Sequence, residues 1–329
     1  MRLSIEPCTL RLRQPFAIAH GVSLSRENVL VHLDAGTGEA AAVPYLGESR
    51  EAIIEYLERV DLGMANDPGA LEDILAGLPT GSAAARAAID MALHDAFAQR
   101  LGQPLYRLFG LNPERMPLTS FTIPIGTPEQ MAAQARAAEM PILKIKLGTD
   151  QDEPRLDAIA AATRATLRAD ANAGWSLAQA LALLPALAER GVELIEQPLA
   201  AGDLDGLRAL SRLVRRPAIF ADEGIRGTAD IVRHAGLVDG VVIKLAKSGG
   251  IRAAMRDIGV ARALGLEVLL SCMIESSVAV TAAAHIAPLC QKLDLDGPLL
   301  IDGDPYAGVE YAGATLRLPA GPGLGLTRR

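Results

Sequence analysis

Eight short apolar runs, separated by segments with helical spacing, dominate the chain after about residue 112. They lie at residues 118–125, 142–147, 166–171, 194–197, 218–221, 240–245, 268–271 and 292–295. Apolar, β-branched runs are typical of parallel strands that are covered by helices. Eight such repeats predict a closed (β/α)8-type barrel of the α/β class. An open doubly wound sheet is the alternative, which the absence of a Gly-x-Gly-x-x-Gly motif after the first run disfavours.

The first part of the chain follows a different order, with strand patterns before helix patterns. The strand patterns lie at residues 3–12 and 28–33, and the helix patterns lie at residues 50–62 and 83–101. Ser82 stands at the N-cap position of the second helix. Segregated strands and helices predict an α+β domain. We therefore expect an α+β domain at residues 1–112, the barrel at 113–300, and a C-terminal segment at 301–329 that returns to the first domain.

Composition argues against several classes of partner and compartment. The 329 residues carry a formal net charge of −7, which disfavours nucleic acid and anionic membrane surfaces as partners. Cys8, Cys272 and Cys290 are too few for a disulfide framework, and no spacing suggests zinc. The sequence has no apolar run of the ~18 residues that a membrane-spanning helix needs, and no signal-peptide core. We expect a soluble cytoplasmic protein that acts on a small molecule.

Ionisable residues recur at the ends of five consecutive predicted strands. They are Lys144 and Lys146, Asp170, Glu196, Asp222 and Lys244. Positions 144, 170, 196 and 222 are each 26 residues apart, and position 244 follows 22 residues later. A step of one β/α unit indicates that each residue holds the same place on its strand, at the barrel end that carries the chemistry. Charged groups in apolar strands are costly unless they are paired or bind a metal.

The three acidic residues predict a magnesium site. Asp170, Glu196 and Asp222 lie on adjacent predicted strands, and their carboxylates offer the hard oxygen ligands that Mg²⁺ prefers. A buried ion pair is the alternative for any single member of the set. We expect the set as a whole to hold Mg²⁺.

The lysines indicate proton transfer at a carbon next to a carboxylate. Lys144 and Lys146 are two residues apart on one strand and face the same side, while Lys244 lies four strands on, across the barrel. Mg²⁺ and an ammonium would stabilise a developing enediolate between them. A neighbouring cation and desolvation are expected to lower the pKa of one lysine, which then acts as a neutral base. Lysines on opposite faces of the carbon would invert its configuration.

These residues resemble the enolase superfamily, and within it the muconate-lactonising-enzyme subgroup. The matching segments are residues 85–95, 102–105, 144–146, 170–172, 196–198, 222–223 and 244–250. The resemblance implies that residues 1–112 form a capping domain with the substrate-specificity loops, and that the acidic set binds Mg²⁺. It implies Lys146 and Lys244 as the acid/base pair and Lys144 as a holder of the substrate carboxylate. The role of Lys247 is left open: it could orient Glu223 or another group beside the site, or be exposed to solvent.

Two further carboxylates point to a cationic substrate group. Asp294 and Asp296 end the eighth run two residues apart, with Lys292 as the one lysine beside them, and are expected to lie away from the metal triplet. Two carboxylates there would bind a substrate ammonium. This Asp-x-Asp is similar to the feature of dipeptide epimerases that holds the α-ammonium. Members that act on Ala-Glu carry an arginine after a Pro-Phe, where this chain has His20, a weaker partner for a carboxylate.

The resemblance therefore implies Mg²⁺-dependent epimerisation of a dipeptide at its C-terminal residue, with Ala-Glu as one candidate substrate. An N-acylamino-acid racemase, an o-succinylbenzoate synthase or a cycloisomerase is the alternative within the superfamily, since their substrates bring no ammonium to Asp294 and Asp296. A Schiff-base aldolase and a non-catalytic barrel are alternatives from other classes. The resemblance also implies a homo-oligomer.

Overall fold

The structure, a computed structural model, describes residues 1–62 and 67–329. Its strands are β1 (Leu3–Ile18), β2 (Gly21–Leu33), β3 (Gly36–Ala40), β4 (Phe121–Ile123), β5 (Ile142–Lys146), β6 (Thr166–Asp170), β7 (Val192–Glu196), β8 (Ala218–Ala221), β9 (Gly240–Ile243), β10 (Glu267–Ser271), β11 (Lys292–Asp294), β12 (Ile301–Asp302), β13 (Tyr306–Ala307), β14 (Glu310–Ala312), β15 (Thr315–Arg317) and β16 (Thr327–Arg328). Its α-helices are α1 (Arg50–Glu58), α2 (Leu71–Gly77), α3 (Ala83–Arg100), α4 (Leu105–Leu108), α5 (Pro128–Ala137), α6 (Asp152–Ala162), α7 (Leu177–Glu189), α8 (Leu204–Ser211), α9 (Thr228–His234), α10 (Leu245–Ser248), α11 (Ile251–Ala263), α12 (Ser277–Ile286) and α13 (Gly297–Leu300). Across these two ranges, every helix is too short or too polar to cross a membrane.

Strands β4 to β11 form one parallel sheet in chain order, and helices follow its strands. An isolated parallel bridge between Thr119 and Leu293 joins the two ends of this sheet. The Ser120 N–H also donates to the Leu293 carbonyl, at 3.2 Å. The sheet is thus a nearly closed barrel. The predicted (β/α)8-type fold is confirmed, and the open-sheet alternative is wrong.

An apolar layer fills the barrel directly beneath the charged residues. Its members are Leu194, Phe220, Val242 and Leu269, each fully buried, and they form one cluster. Two residues further along the same strands stand Glu196, Asp222, Lys244 and Ser271. Side chains two apart on a strand share a face, so these four strands place an apolar layer below Glu196, Asp222 and Lys244. Water is excluded from below, and the electrostatic interactions among these groups are correspondingly strong.

The N-terminal residues form a four-stranded antiparallel sheet in the order β12-β1-β2-β3, against which α3 packs. The Ser82 hydroxyl accepts a hydrogen bond from the Ala85 N–H at 3.0 Å and caps α3, as predicted. Gly38 brings β3 close to this helix, because a Cβ at that position would lie 1.9 Å from the Ala88 carbonyl oxygen. The expected combination of sheet and helices is confirmed for this part of the chain.

The C-terminal residues contact the N-terminal sheet and α3. Strand β12 pairs with β1, and the Leu324 N–H donates to the Asp95 carboxylate at 2.8 Å. Arg328 forms an ion pair with Glu6 at 2.7 Å. These contacts cross the domain boundaries proposed at residues 112 and 300, which remain predictions.

Candidate active site

Strand register brings the ionisable residues to one level of the barrel. Lys146 is the register partner of Asp170, and Asp170 is the register partner of Glu196 on the next strand. Asp222 and Lys244 follow the last residues of β8 and β9. The C-terminal ends of five neighbouring strands, β5 to β9, therefore present one ring of charged side chains.

Lys144 lies deeper than the spacing predicted. Its register partner is Arg168, whereas Lys146 is opposite Asp170, so the 26-residue step placed the wrong lysine at the carboxylate level. From below, the Lys144 ammonium reaches Glu196 at 2.8 Å, Asp294 at 2.8 Å and Asp170 at 3.2 Å. It is thus a buried cation at the centre of a carboxylate cluster.

Asp170, Glu196 and Asp222 form a compact acidic triad. One carboxylate oxygen from each lies within 4.8 Å of the others, and the three residues are at most 2% exposed. Glu196 Oε1 has no hydrogen-bond partner among the described residues, and burial raises the pKa of Glu196 to about 8 despite the charge of Lys144. A buried oxygen without a partner is costly and points to a ligand at that position. Three hard oxygen donors fit Mg²⁺, so the triad is a suitable metal site.

Lys146 and Lys244 lie at opposite ends of this triad. The Lys146 ammonium donates to Asp170 at 2.7 Å and to the side-chain oxygen of Asn172 at 3.2 Å. The Lys244 ammonium donates to Asp222 at 2.7 Å. Because Asp170 and Asp222 belong to the outer two strands of the triad, the two amines flank it from different sides.

The predicted lowering of a lysine pKa is not found for Lys244. Burial is the largest influence on this ammonium and lowers its pKa, but the acidic neighbours, with Asp222 foremost, together outweigh burial and leave the pKa above its ordinary value. Burial likewise lowers the pKa of Lys144, and the carboxylates of Asp294 and Glu196 raise it. The pKa of Lys144 is also above its ordinary value. Carboxylate pairing thus outweighs desolvation at both residues.

The two carboxylates at the end of the eighth barrel strand differ in their surroundings. Asp294 accepts hydrogen bonds from Lys144 at 2.8 Å, from Ser120 at 2.7 Å and from Ser271 at 3.0 Å. The expectation that this residue lies away from the metal triplet is wrong, because Lys144 links it directly to Glu196.

Asp296 has no cationic partner among the described residues. Its Oδ2 accepts from the Thr122 N–H at 2.7 Å, and it has no ion pair with the described residues. Burial and the nearby charge of Asp294 raise the pKa of Asp296 to about 7. A cation that reached this carboxylate would relieve both effects.

Lys247 is a positioning residue for a triad member. Its buried ammonium donates to the Asp222 carbonyl at 2.5 Å and to the Asp222 carboxylate. Glu223, the partner considered from the sequence, instead accepts from the Asn172 amide at 3.1 Å. Asn172 was not singled out, although its motif was, and it adopts a left-handed conformation (φ +43°) that asparagine tolerates well. Its amide thereby joins Lys146 to Glu223.

A cavity of about 550 Å³ opens above the ring of charges, between the barrel and the N-terminal sheet. Lys146, Lys244 and Asp296 are in its lower wall, and Phe16, Ile18, Arg26 and Tyr45 are in its upper wall. His20 does not line it. This exposed residue borders an adjoining cavity of about 540 Å³, with its ring 5.4 Å from that of Tyr45. Arg26 borders both cavities and was missed from the sequence.

Comparison with known protein families accounts for nearly the whole chain. Residues 129–329 match the enolase C-terminal domain-like family. Residues 3–110 match the N-terminal domain of the mandelate racemase and muconate lactonizing enzyme family. The chain belongs to the enolase superfamily. Its N-terminal sheet and its barrel are therefore the two parts of the superfamily's architecture.

Several relatives within the enolase superfamily are similar over most of their length. The L-Ala-D/L-Glu epimerase of Bacteroides thetaiotaomicron is 38% identical, with 100% of this chain and 88% of the relative covered. The substrate-liganded L-Ala-D/L-Glu epimerase of Bacillus subtilis superposes with a TM-score of 0.92 at 32% identity, over 99% of this chain and 98% of that one. The dipeptide epimerase of Methylococcus capsulatus, complexed with Mg and L-Arg-D-Lys, superposes with a TM-score of 0.90 at 34% identity. The match covers 99% of this chain and 98% of that one.

Proposed function

We propose that this enolase-superfamily member epimerises dipeptides at their C-terminal residue by moving the proton of the carbon next to the terminal carboxylate. One observation carries the proposal. The Lys146 ammonium lies 2.7 Å from the Asp170 carboxylate, and the Lys244 ammonium lies 2.7 Å from the Asp222 carboxylate. The two amines therefore flank one position from two sides. A carbon held between them is accessible to one amine on each face.

Each lysine has one role in a given direction of reaction. One lysine removes the α-proton from its face of the substrate, and the other returns a proton to the opposite face. Lys144, at the centre of the cluster, supplies positive charge close to the substrate carboxylate. The triad would hold Mg²⁺, whose charge would stabilise negative charge on the substrate and compete with the lysine ammonium groups for the carboxylates. The Mg present in the Methylococcus capsulatus complex supports this choice of metal.

Asp296 favours a dipeptide over an N-acylated amino acid. Its carboxylate is buried and lacks a cationic partner among the described residues. The free ammonium of a dipeptide would pair with it, whereas an N-acyl group would leave the charge unbalanced and desolvated. Asp294, already held by Lys144, contributes mainly by keeping negative charge nearby.

The proposal is tested by α-proton exchange in D₂O with Mg²⁺ and a panel of L,L- and L,D-dipeptides. We expect the wild type to incorporate deuterium at the C-terminal α-carbon and to interconvert the epimers. Lys146→Met and Lys244→Met should each slow epimerisation by about a thousandfold, within the ~10²–10⁴ range of general acid–base catalysis. Each variant should still exchange the proton of one epimer, and the two variants should differ in which epimer exchanges.

Lys292→Met is the matched control, because this lysine pairs with Glu193 at 2.8 Å at the start of β11, away from the mouth. It should keep full activity. Full activity in both Lys146→Met and Lys244→Met, or exchange of the same epimer by both, would contradict the proposed roles. An absence of exchange with every dipeptide would contradict the proposed reaction itself.

A further inference from the structure

A buried amide connects the two walls of the cavity. Asn28, on β2, is fully buried and is not among the described residues that line the cavity. Its Nδ2 donates to the Ile274 carbonyl at 3.1 Å, and its Oδ1 accepts from the Ala42 N–H at 3.1 Å. Ile274 lies in the cavity wall on the barrel side, and Val43, next to Ala42, lies in the wall on the N-terminal side. One side chain thus joins the two walls.

Glu39 holds the Asn28 amide from a second direction. Its Oε1 accepts from Asn28 Nδ2 at 2.8 Å, and the same carboxylate accepts from the Ser276 N–H at 3.0 Å and from the Ser276 hydroxyl at 2.6 Å. Glu39 and Ser276 are fully buried. The Asn28 nitrogen therefore donates twice, and its oxygen accepts once. Neither aspartate nor leucine, which are of similar size, could make these three contacts, because neither has a side-chain N–H donor.

The barrel loop that Asn28 reaches, residues 272–276, depends on contacts from outside the loop. It joins β10 to α12 and has no regular secondary structure. Within it, the buried Glu275 side chain has one oxygen, Oε1, without a hydrogen-bond partner among the described residues. An unpaired buried oxygen is costly, so the loop's own contacts do not favour this conformation. No backbone hydrogen bond of the described chain joins residues 41–46 directly to this loop, which leaves Asn28 and Glu39 as the polar link.

We propose that Asn28 is a positioning residue, which fixes residues 272–276 of the barrel against residues 42–45 and thereby sets the shape of the cavity that receives the dipeptide. This inference rests on the proposed function. Val43 and Met273 also meet in an apolar cluster, but apolar contacts have no direction and do not fix a separation as hydrogen bonds do. The hydrogen bonds of Asn28 reach neither the proposed acid/base lysines nor the acidic triad. Asn28 therefore acts on substrate binding rather than on proton transfer.

Steady-state kinetics separate this role from a purely structural one. Asn28→Ala should raise KM for L-Ala-L-Glu about tenfold, because the two walls must then be ordered when the dipeptide binds. It should change kcat by less than about threefold, since the lysines and the triad keep their contacts. A residue needed only for folding would instead reduce the amount of active protein, so that kcat falls and KM stays constant. Should the wild type not accept L-Ala-L-Glu, the dipeptide that it exchanges fastest takes its place.

A second measurement does not depend on the reaction. Cys272 lies in the loop and lines the cavity, and burial and Asp296 raise the pKa of its thiol, so that it reacts slowly. Asn28→Ala should speed the modification of this thiol by iodoacetamide about tenfold, because the released loop opens more often. Peptide mass spectrometry follows Cys272 separately, and the buried Cys290 serves as the internal reference. All proteins carry Cys8→Ser, since Cys8 is the register partner of Asn28 on β1.

Asp95→Asn is the matched control. Asp95 is also buried, and it joins β3 to the C-terminal segment by accepting from the Thr37 N–H at 2.9 Å and from the Leu324 N–H at 2.8 Å. It is not among the described residues that line the cavity. This variant should be less stable than the wild type, with an unchanged KM and an unchanged rate of modification at Cys272.

Glu39→Gln keeps the test decisive if Asn28→Ala does not fold. The glutamine has nearly the same shape, but its NH2 group must face a donor of Asn28 or of Ser276, so it should give smaller changes in the same directions. In a folded variant, an unchanged KM or an unchanged rate at Cys272 would overturn the positioning role, as would the same changes in Asp95→Asn. If no dipeptide exchanges, the proposed reaction is contradicted, and the rate at Cys272 alone then decides whether Asn28 holds the loop.

Discussion

At the scale of single residues, the charged side chains of the site hold one another in place. The ammonium of Lys144 contacts three carboxylates, and that of Lys247 fixes the Asp222 side chain to its own backbone. Loss of one partner from a buried ion pair typically costs about 3–5 kcal/mol. The arrangement is therefore rigid, as proton transfer between fixed groups requires.

His285, on α12, is a buried titratable group outside the site. Its Nδ1 accepts from the Tyr106 N–H at 3.1 Å, which requires that this nitrogen carry no proton. Burial lowers the pKa of His285 from its ordinary value of 6.5 to about 4. The unfolded chain therefore takes up a proton near pH 6.5, and the folded chain does so only near pH 4. The stability that neutral His285 contributes is complete above pH 6.5 and is lost as the pH falls through this interval.

We predict that His285→Asn makes the folded chain less sensitive to acid. The asparagine oxygen can still accept from the Tyr106 N–H, and it does not titrate. The stability advantage of the wild type over this variant should shrink by about 3 kcal/mol between pH 6.5 and pH 4, from the pKa shift of His285. Urea unfolding at several pH values measures this difference. Parallel pH profiles for the two proteins would contradict the prediction.

The sequence predicted which residues form the site better than it predicted which of them contact one another. The spacing of Asp170, Glu196 and Asp222 placed three carboxylates together, because one β/α repeat has a nearly fixed length. It did not show that Lys144 contacts Asp294, since that contact depends on strand register. The pairing of β6 with β7 shifts at Leu167 and Arg168, an irregularity that no repeat length reveals.

At the scale of elements, the start of α3 connects the helix to the cavity wall. The Glu48 carboxylate accepts from the Ala83 N–H at 2.8 Å and from the Ser82 hydroxyl at 2.6 Å. Glu48 follows closely after the short 3₁₀ helix Pro44–Leu46, which carries Tyr45. A negative charge at a helix N-terminus is stabilising, so this contact anchors the Tyr45 loop to the most buried helix of the N-terminal part.

We predict that Glu48→Ala weakens both stability and substrate binding. The variant should lose about 1–2 kcal/mol of unfolding free energy, because the first N–H groups of α3 lose a charged acceptor. It should also raise KM several-fold, since the loop that carries Tyr45 is released. Urea unfolding and steady-state kinetics measure the two effects.

Ser82→Ala is the control for the Glu48 prediction. It removes the cap of α3 and one hydrogen bond to Glu48, and it leaves the bond from the Ala83 N–H in place. It should cost about 1 kcal/mol with little change in KM. A Glu48→Ala variant with normal KM would show that the loop does not depend on this anchor.

The hairpin of β1 and β2 shows what a pattern-based analysis overlooks among the elements. Alternation predicted strands at residues 3–12 and 28–33, yet the pairing extends to Ile18 and Gly21 at the hairpin tip. Near the tip, Val22 and Leu24 alternate with Ser23 and Ser25, but these two apolar side chains are largely exposed. Arg26 lies in this overlooked stretch, which explains why the sequence did not reveal it.

At the scale of the whole molecule, the count of strand–helix repeats predicted the barrel. The acidic triad, the proposed metal site, connects three of its strands. Asp170, Glu196 and Asp222 come from β6, β7 and the end of β8. A ligand that binds the folded chain alone stabilises it by mass action. A metal ion bound to the triad would therefore raise the free energy of unfolding of the entire barrel.

We predict that Mg²⁺ raises the free energy of unfolding relative to EDTA, by about 2.7 kcal/mol at a hundredfold excess over its dissociation constant. Glu196→Gln should largely abolish this increase. Glu193→Gln is the control, because Glu193 lies at the other end of β7 and pairs with Arg168 at 2.7 Å. Urea unfolding with and without Mg²⁺ measures the effect. The same Mg²⁺-dependent increase in both variants would place the ion elsewhere.

The cavity lies between two sheets that come from different parts of the chain. The proposed proton-transferring lysines stand on the barrel, and Arg26, in the opposite wall of the cavity, stands on β2. Substitutions in the hairpin can therefore alter which molecules are accepted while the reacting groups keep their spacing. Such a molecule can acquire a new preference by few changes, without rebuilding the machinery that breaks and remakes the carbon–hydrogen bond.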